Sequence, residues 1–415
     1  MSLPIFINTT DYSENAIKTK NIKINTEIKE YYYNILNYVS APDHDVRSIS
    51  EADFTSKETM LGFYRSVVID PETKNILCFA PPKSINNEAF KMLHSPDNAN
   101  NPECLLKNAI IEGTMINLFY DPRRETWEIA TKGAIGGKYW YYRTQYDENE
   151  SVQLTFREMF CDALKVPRNS ELNDVSLFTK LNKDHCYSFV LQHPNNHIVL
   201  QIDEPAVYLV SVFKLHETTV TYVKLTEQYI VDSFNGSIVK YPHDYKIDET
   251  IYTEFIQDNN YYNVYPGYML TNVNTGIRSS FKNPNYEYVK SIRGNNPNMQ
   301  FHFFALQQAN KLKEFLKYFP KYKDMFYKFH LQSGKFIQSI HDAYVSYYVH
   351  KKGKEVRIPK NIFPHIYKLH FEVHIPSIET GNKVIVTKQI VADYWNKMEP
   401  KEKLYYISKT PETQP

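Results

Sequence analysis

Between Phe63 and Phe281 the apolar residues come in short runs separated by Pro, Asn, Asp and Gly, the pattern of β-strands joined by turns. FYRSVVID and ILCFAPP flank a PETKN turn, and AIIEGTMINLFY and TWEIATKG flank DPRRE, so each pair predicts a hairpin. Thr155–Leu164 (TFREMFCDAL) instead carries its apolar residues at helical spacing. HCYSFVLQ, HIVLQI, AVYLVSVFKL and QYIVDSF then read as strands, followed by GYMLTN and a strand around Phe281. Residues 1–60 show no clear period and receive no assignment.

After Pro297 the period changes to that of helices. Phe303, Leu306, Leu312, Phe315, Leu316 and Phe319 recur at helical spacing. GKFIQSIHDAYVSYYVHKK, NIFPHIYKLHF and VTKQIVADYW continue the pattern, and no internal repeat is found. The expectation is an α+β chain: an antiparallel-sheet domain over 1–295, a helical domain over 296–405, and a disordered tail over 406–415.

Length and composition add limits. The 415 residues suffice for two domains, and 42% hydrophobic with 23% charged residues is ordinary for a globular protein. No run approaches 18 apolar residues and no secretory signal is visible at the start, so no membrane association is expected. Cys78, Cys104, Cys161 and Cys186 lie far apart without a CxxC pair, which favours reduced thiols and a cytoplasmic-type compartment. A net charge of +1 hides an asymmetry: residues 301–370 hold 13 Lys and Arg against 4 Asp and Glu, while residues 1–300 carry a net −8. An anionic partner for the basic segment, or a solvated lysine-rich helix face, accounts for this equally well.

The segment 311–330 interleaves Lys311, Lys313, Lys317, Lys321, Lys323 and Lys328 with Phe and Tyr, a mixture able to hold phosphates and stack bases. The same pattern also describes a helix with an aromatic core face. His193 and His197 flank a turn without a third ligand, so no metal site is expected.

Five motifs in order resemble those of RNA ligases of the phage tRNA-repair type, within the covalent nucleotidyltransferases. They are Tyr64-Arg65-Ser66-Val67-Val68, Ile110-Ile111-Glu112-Gly113, the strand Ser188–Leu191 leading to Pro194–Val199, Pro266-Gly267-Tyr268-Met269, and Ser280-Phe281-Lys282. Ala130-Thr131-Lys132-Gly133 follows the second of these. The resemblance covers about residues 60–295 and implies a nucleotidyltransferase-like fold. It also implies that Arg65, Glu112, Gly113, Lys132 and Lys282 would face nucleotide or phosphate.

Where the family has its lysine nucleophile, this chain has Ile110. Its two glutamates are replaced by Val190 and Pro266, and the first lysine of its last motif by Ser280. Isoleucine has no nucleophilic atom, and phosphoryl-type transfer needs the carboxylates that support a metal. The expectation is therefore a catalytically inactive protein without cofactor that binds RNA or DNA, with protein partners or self-association possible. Resemblance together with 34 Tyr against 12 Gly, a composition suggesting an AT-rich genome, points to a large DNA virus and to host cytoplasm or virion. Two alternatives stay open. One is an active ligase using ATP and Mg with a relocated nucleophile such as Lys107, although its odd offset from Ile110 puts it on the opposite strand face. The other is a structural virion or scaffold protein.

Overall fold

The computed structural model describes residues 4–10, 17–26, 29–38, 61–93, 104–139, 154–245, 266–294, 296, 298–351 and 357–409. The chain folds as two compact units, Met1–Trp140 with Val152–Ser291, and Tyr141–Ser151 with Ile292–Pro415. The first unit is antiparallel sheet with short helices and the second is helical, an α+β architecture.

The strands in chain order are β1 (Ile5–Phe6), β2 (Ile17–Asn25), β3 (Glu30–Tyr38), β4 (Val67–Ile69), β5 (Ile76–Phe79) and β6 (Leu105–Ala109). They continue as β7 (Thr114–Asp121), β8 (Thr126–Thr131), β9 (Ala134–Ile135), β10 (His185–Gln192), β11 (Ala206–His216) and β12 (Thr219–Val223), then β13 (Asp244–Tyr245), β14 (Gly267–Asn272) and β15 (Arg278–Lys282). Three sheets result, ordered β1-β12-β11-β10-β7-β8-β9, β13-β6-β14-β15 and β2-β3-β4-β5.

β10 is buried along nearly its whole length, and its alternation sorts the core. Tyr187, Phe189 and Leu191 join one cluster with Phe160 of helix α2 (Phe156–Leu164) and with Ile230 and Phe234 of α3 (Gln228–Phe234), whereas Cys186 packs with Tyr33, Val68 and Cys78. Helix α1 (Asn87–Leu93) precedes these two. The α2 helix begins as its sequence predicts, with Thr155 and Glu158 closing a capping box.

Several expectations are corrected. AIIEGTMINLFY is not one strand, because β6 belongs to the four-stranded sheet β13-β6-β14-β15 and β7 to the seven-stranded one, with residues 110–113 crossing between them. HIVLQI forms no strand, since the N–H groups of Ile198, Val199 and Leu200 bond a carboxylate instead of a ladder. QYIVDSF is helix α3, where Ile230 and Phe234 at i,i+4 supply the buried face. The β2–β3 hairpin falls in the stretch left unassigned; among the described strands β2 pairs only with β3, and it carries Lys18, Lys20 and Lys23.

The second unit holds α5 (Met299–Gln308), α6 (Leu312–Tyr318), α7 (Lys323–Tyr344), α8 (Phe363–Lys368), α9 (Ile375–Glu379), α10 (Lys388–Lys397) and α11 (Pro400–Ser408); α4 (Pro284–Arg293) leads into it. The last helix extends through residues 406–408 of the segment read as a tail, and residues 410–415 lie outside the described part. Phe303, Phe304, Phe326, Phe336 and Trp395 are buried. No described helix is long and apolar enough to cross a membrane.

Two histidines sit among these rings. His302 bonds the Ile292 carbonyl at 3.1 Å and His365 the Tyr394 hydroxyl at 2.9 Å. Burial, and secondarily Arg293 and Lys368 respectively, push each imidazole down to about 4. The folded chain therefore keeps both neutral while the unfolded chain takes up protons below its ordinary value of 6.5. Their stabilising contribution is complete above pH 6.5 and is lost as pH falls toward 4, roughly 3 kcal/mol for each ring. Urea unfolding followed by helical circular dichroism should show its midpoint falling across that window. The double variant His302→Gln, His365→Gln should flatten the fall.

Candidate functional site

The crossing from β6 to β7 is held by Glu112. Its buried carboxylate accepts from the backbone N–H of Ile198 (2.7 Å), Val199 (3.0 Å) and Leu200 (3.2 Å), and from the Tyr286 hydroxyl. Burial, and then the Glu112 charge, push the Tyr286 phenol well up, so it remains a donor. The Glu112 carbonyl also accepts from Gln192 Nε2 at 3.0 Å. Next to it Gly113 lies against β10, where an added Cβ would overlap the Leu191 carbonyl oxygen and come within 2.7 Å of Val190 Cγ1. Only glycine fits that approach.

Beside this crossing is a cavity of ≈ 250 Å³. Ile110, Met115, Val190 and Met269 give it apolar walls, and Gly113 borders it. Ile110 is half-buried at this wall, with its N–H bonded to the Gly267 carbonyl at 2.9 Å, rather than core-facing. Arg65 and Arg278 both line the same space, and no Asp or Glu is among the described lining residues. Arg278 is anchored by Nε to the Pro82 carbonyl at 2.6 Å and by Nη2 to the Pro81 carbonyl at 3.3 Å. Burial first, and then the Arg65 charge, push its guanidinium down to about 9, which leaves it charged at neutral pH. Burial also lowers Arg65, which has no hydrogen bond or ion pair among the described residues.

Two hydroxyls join the arginines. Ser211 lines the cavity with its Oγ buried and unpartnered, and Tyr222 lines it without a hydrogen bond among the described residues. Burial, partly offset by Arg278, pushes the Tyr222 phenol up to about 12. A larger groove of ≈ 660 Å³ shares Asn108, Tyr222 and Pro242 with this cavity.

The residues singled out from sequence separate accordingly. Arg65, Ile110, Gly113 and Val190 meet at the cavity. Pro266 and Ser280 do not line it: Pro266 is buried just ahead of β14, and Ser280 pairs across from Met269. Lys132 is exposed, with Nζ 5.5 Å from the Tyr38 ring centroid, and Lys282 is ion-paired with Glu287 at 3.3 Å. Lys107 lies with Nζ 4.4 Å from the Tyr268 ring centroid and is absent from the cavity lining, as its odd offset predicts. Arg278, Ser211 and Tyr222 escaped the sequence reading. For Arg278 a signal existed, because it stands at an even offset from Ser280 on one strand and so shares its face.

The lysines Lys311, Lys313, Lys317, Lys321, Lys323 and Lys328 are all exposed in the helical unit, whereas Phe315, Phe319, Phe326 and Phe329 are buried. Those phenylalanines form core and give no stacking surface. His193 is paired with Asp162 at 3.3 Å and His197 with the Pro194 carbonyl at 2.6 Å. Among the described residues no group of three or more His, Cys, Asp and Glu is placed to hold a metal ion.

No family model and no curated protein matches the chain. Among solved structures it is similar to variants of an RNA ligase from Naegleria gruberi. One, with ATP and Mn, has 7% identity and a TM-score of 0.31 over 45% of this chain and 51% of that one. Another, with AMP and Mn, has 9% identity and a TM-score of 0.32 over 46% and 53%. The chain thus spans about half the length of the solved structures it matches, and TM-scores of this size are too low to carry a conclusion about its chemistry.

Glu112→Ala should remove roughly 3–5 kcal/mol, because three buried N–H groups and a phenol lose their acceptor together. Gly113→Ala should remove roughly 1–3 kcal/mol through the overlap with β10. Both are measured by urea denaturation. An effect within 0.5 kcal/mol for Glu112→Ala would show that the crossing is held by other contacts.

Proposed function

We propose that this chain is an RNA-ligase-like protein that no longer forms a covalent nucleotidyl intermediate and uses the remaining cleft to hold a phosphate-bearing ligand, with nucleic acid as the expected class. The observation that carries this reading is the pairing, in one cavity, of an isoleucine at the nucleophile position with two guanidiniums, with no Asp or Glu among the described lining residues. The described wall offers no amine to form a phosphoramidate, while the arginines retain the charge that draws phosphate. Lys107, the alternative nucleophile, stands on the other strand face over a tyrosine ring. The role requires no nucleotide cofactor. A place within an RNA-handling or viral assembly fits the same reading.

Incubation with α-labelled ATP and magnesium or manganese should leave the protein unlabelled. Ile110→Lys should also remain unlabelled, because Val190 and Pro266 still offer no carboxylate and the new amine would adjoin two guanidiniums. A denaturation-resistant AMP adduct on the unaltered chain would overturn the reading. Single-stranded oligonucleotides should bind with strong salt dependence. Arg65→Ala should weaken them equally across sequences and reduce the slope of log affinity against log salt by about 1. Lys317→Ala, on a solvated helix face, should change affinity less than twofold. Complete absence of salt-dependent binding would favour a protein-only scaffold.

A further inference from the structure

The lost nucleophile does not explain why the cavity brings together two guanidiniums and two hydroxyls. Arg278 is 9% exposed; Pro82 and Pro81 take its Nε and Nη2, and Nη1 has no hydrogen bond among the described residues. Ser211 is 4% exposed with an unpartnered Oγ on the same lining. Tyr222 and Arg65 add a hydroxyl and a second guanidinium, again without a hydrogen-bond acceptor among the described residues. Buried donors and like charges are costly to keep together unless something supplies acceptors and opposite charge.

These four groups also come from different elements. Ser211 is on β11 beside the register shift opposite Ser188 and Phe189, Tyr222 is on β12, Arg278 begins β15 and Arg65 precedes β4. We propose that this cavity is a binding site for a phosphomonoester with an apolar or aromatic body, its phosphate held by Arg65, Arg278, Ser211 and Tyr222. The proposal rests on the reading of the cleft as phosphate-holding and narrows it to a terminal phosphate.

Charge and shape select that class. Two guanidiniums match a monoester, which carries about −1.5 to −2 at neutral pH, better than a diester or carboxylate with a single charge. Donors arriving from several elements suit a tetrahedral group with three free oxygens, whereas a carboxylate offers two oxygens in one plane. Ile110, Val190, Met115 and Met269 then provide the apolar surface for the ester body. Arg278 is lowered by burial first and by the Arg65 charge second, and a bound dianion would offset that second contribution.

Calorimetric titration and thermal melting of the full chain test this with phenyl phosphate, inorganic phosphate, diphenyl phosphate and benzoate. Phenyl phosphate should raise the melting temperature and bind at least tenfold tighter than diphenyl phosphate or benzoate, and tighter than inorganic phosphate. Arg65→Met should cost at least tenfold in phenyl phosphate affinity yet melt higher than the unaltered protein in anion-free buffer. Ser211→Ala should cost about tenfold or more without lowering its melting temperature, consistent with one charge-assisted hydrogen bond. Equal binding of diphenyl phosphate or benzoate, or full phenyl phosphate affinity in Arg65→Met, overturns the proposal. Phenyl phosphate binding without oligonucleotide binding supports this site and removes the nucleic-acid reading. Oligonucleotide binding without phenyl phosphate binding overturns the site and leaves that reading standing.

Discussion

A buried carboxylate, Glu112, fixes the corner at which the chain leaves the four-stranded sheet and enters the seven-stranded one. Three consecutive backbone donors and the Tyr286 phenol converge on it, so residues 198–200 and the first turn of α4 are positioned from the same point. An ionised group can be buried this deeply only when its acceptor positions are filled. Because they are filled by protein, the carboxylate is occupied in holding the fold. Gly113 can press against β10, and Ile110 can pair with Gly267, because the corner between them is set.

The cavity next to that corner has the reverse balance. Around Glu112 one anion meets four donors, whereas the cavity of Arg65 and Arg278 has no Asp or Glu among its described lining residues. The protein keeps Arg278 in place with two proline carbonyls, neutral acceptors that orient the guanidinium without neutralising it. A site ordered in advance and left uncompensated is the arrangement expected where the counter-charge arrives with a ligand.

Much of the first unit could be read from pattern. The strands β10, β11, β14 and β15 and the capped helix α2 follow local rules of alternation and capping, and the structure places them where those rules do. The errors arose where a long-range contact overrode a local one. HIVLQI has strand-like composition, yet its N–H groups turn to a carboxylate more than eighty residues away in the chain. QYIVDSF is rich in residues suited to strands, but burial of Ile230 and Phe234 against the core makes it helical. At the site, the motif order led to Arg65, Ile110, Gly113 and Val190, and motif order alone could not reveal Ser211 or Tyr222. Their importance comes from an unmet hydrogen bond and from adjacency to a charge on another strand, which only three dimensions display.

The β2–β3 hairpin has a consequence for how this protein coexists with copies of itself. β2 closes its sheet with one side of its backbone unpaired among the described strands, the geometry that invites a neighbour to add a strand. Lys18, Lys20 and Lys23 stand along that margin, and Lys20 Nζ is tied to the Gly133 carbonyl at 2.6 Å. Lys23 Nζ is in turn ion-paired with Glu30 of β3 at 2.6 Å. The hairpin that composition left unread thus ends its sheet in a lysine-bearing outer strand, a composition that disfavours the addition of a further strand.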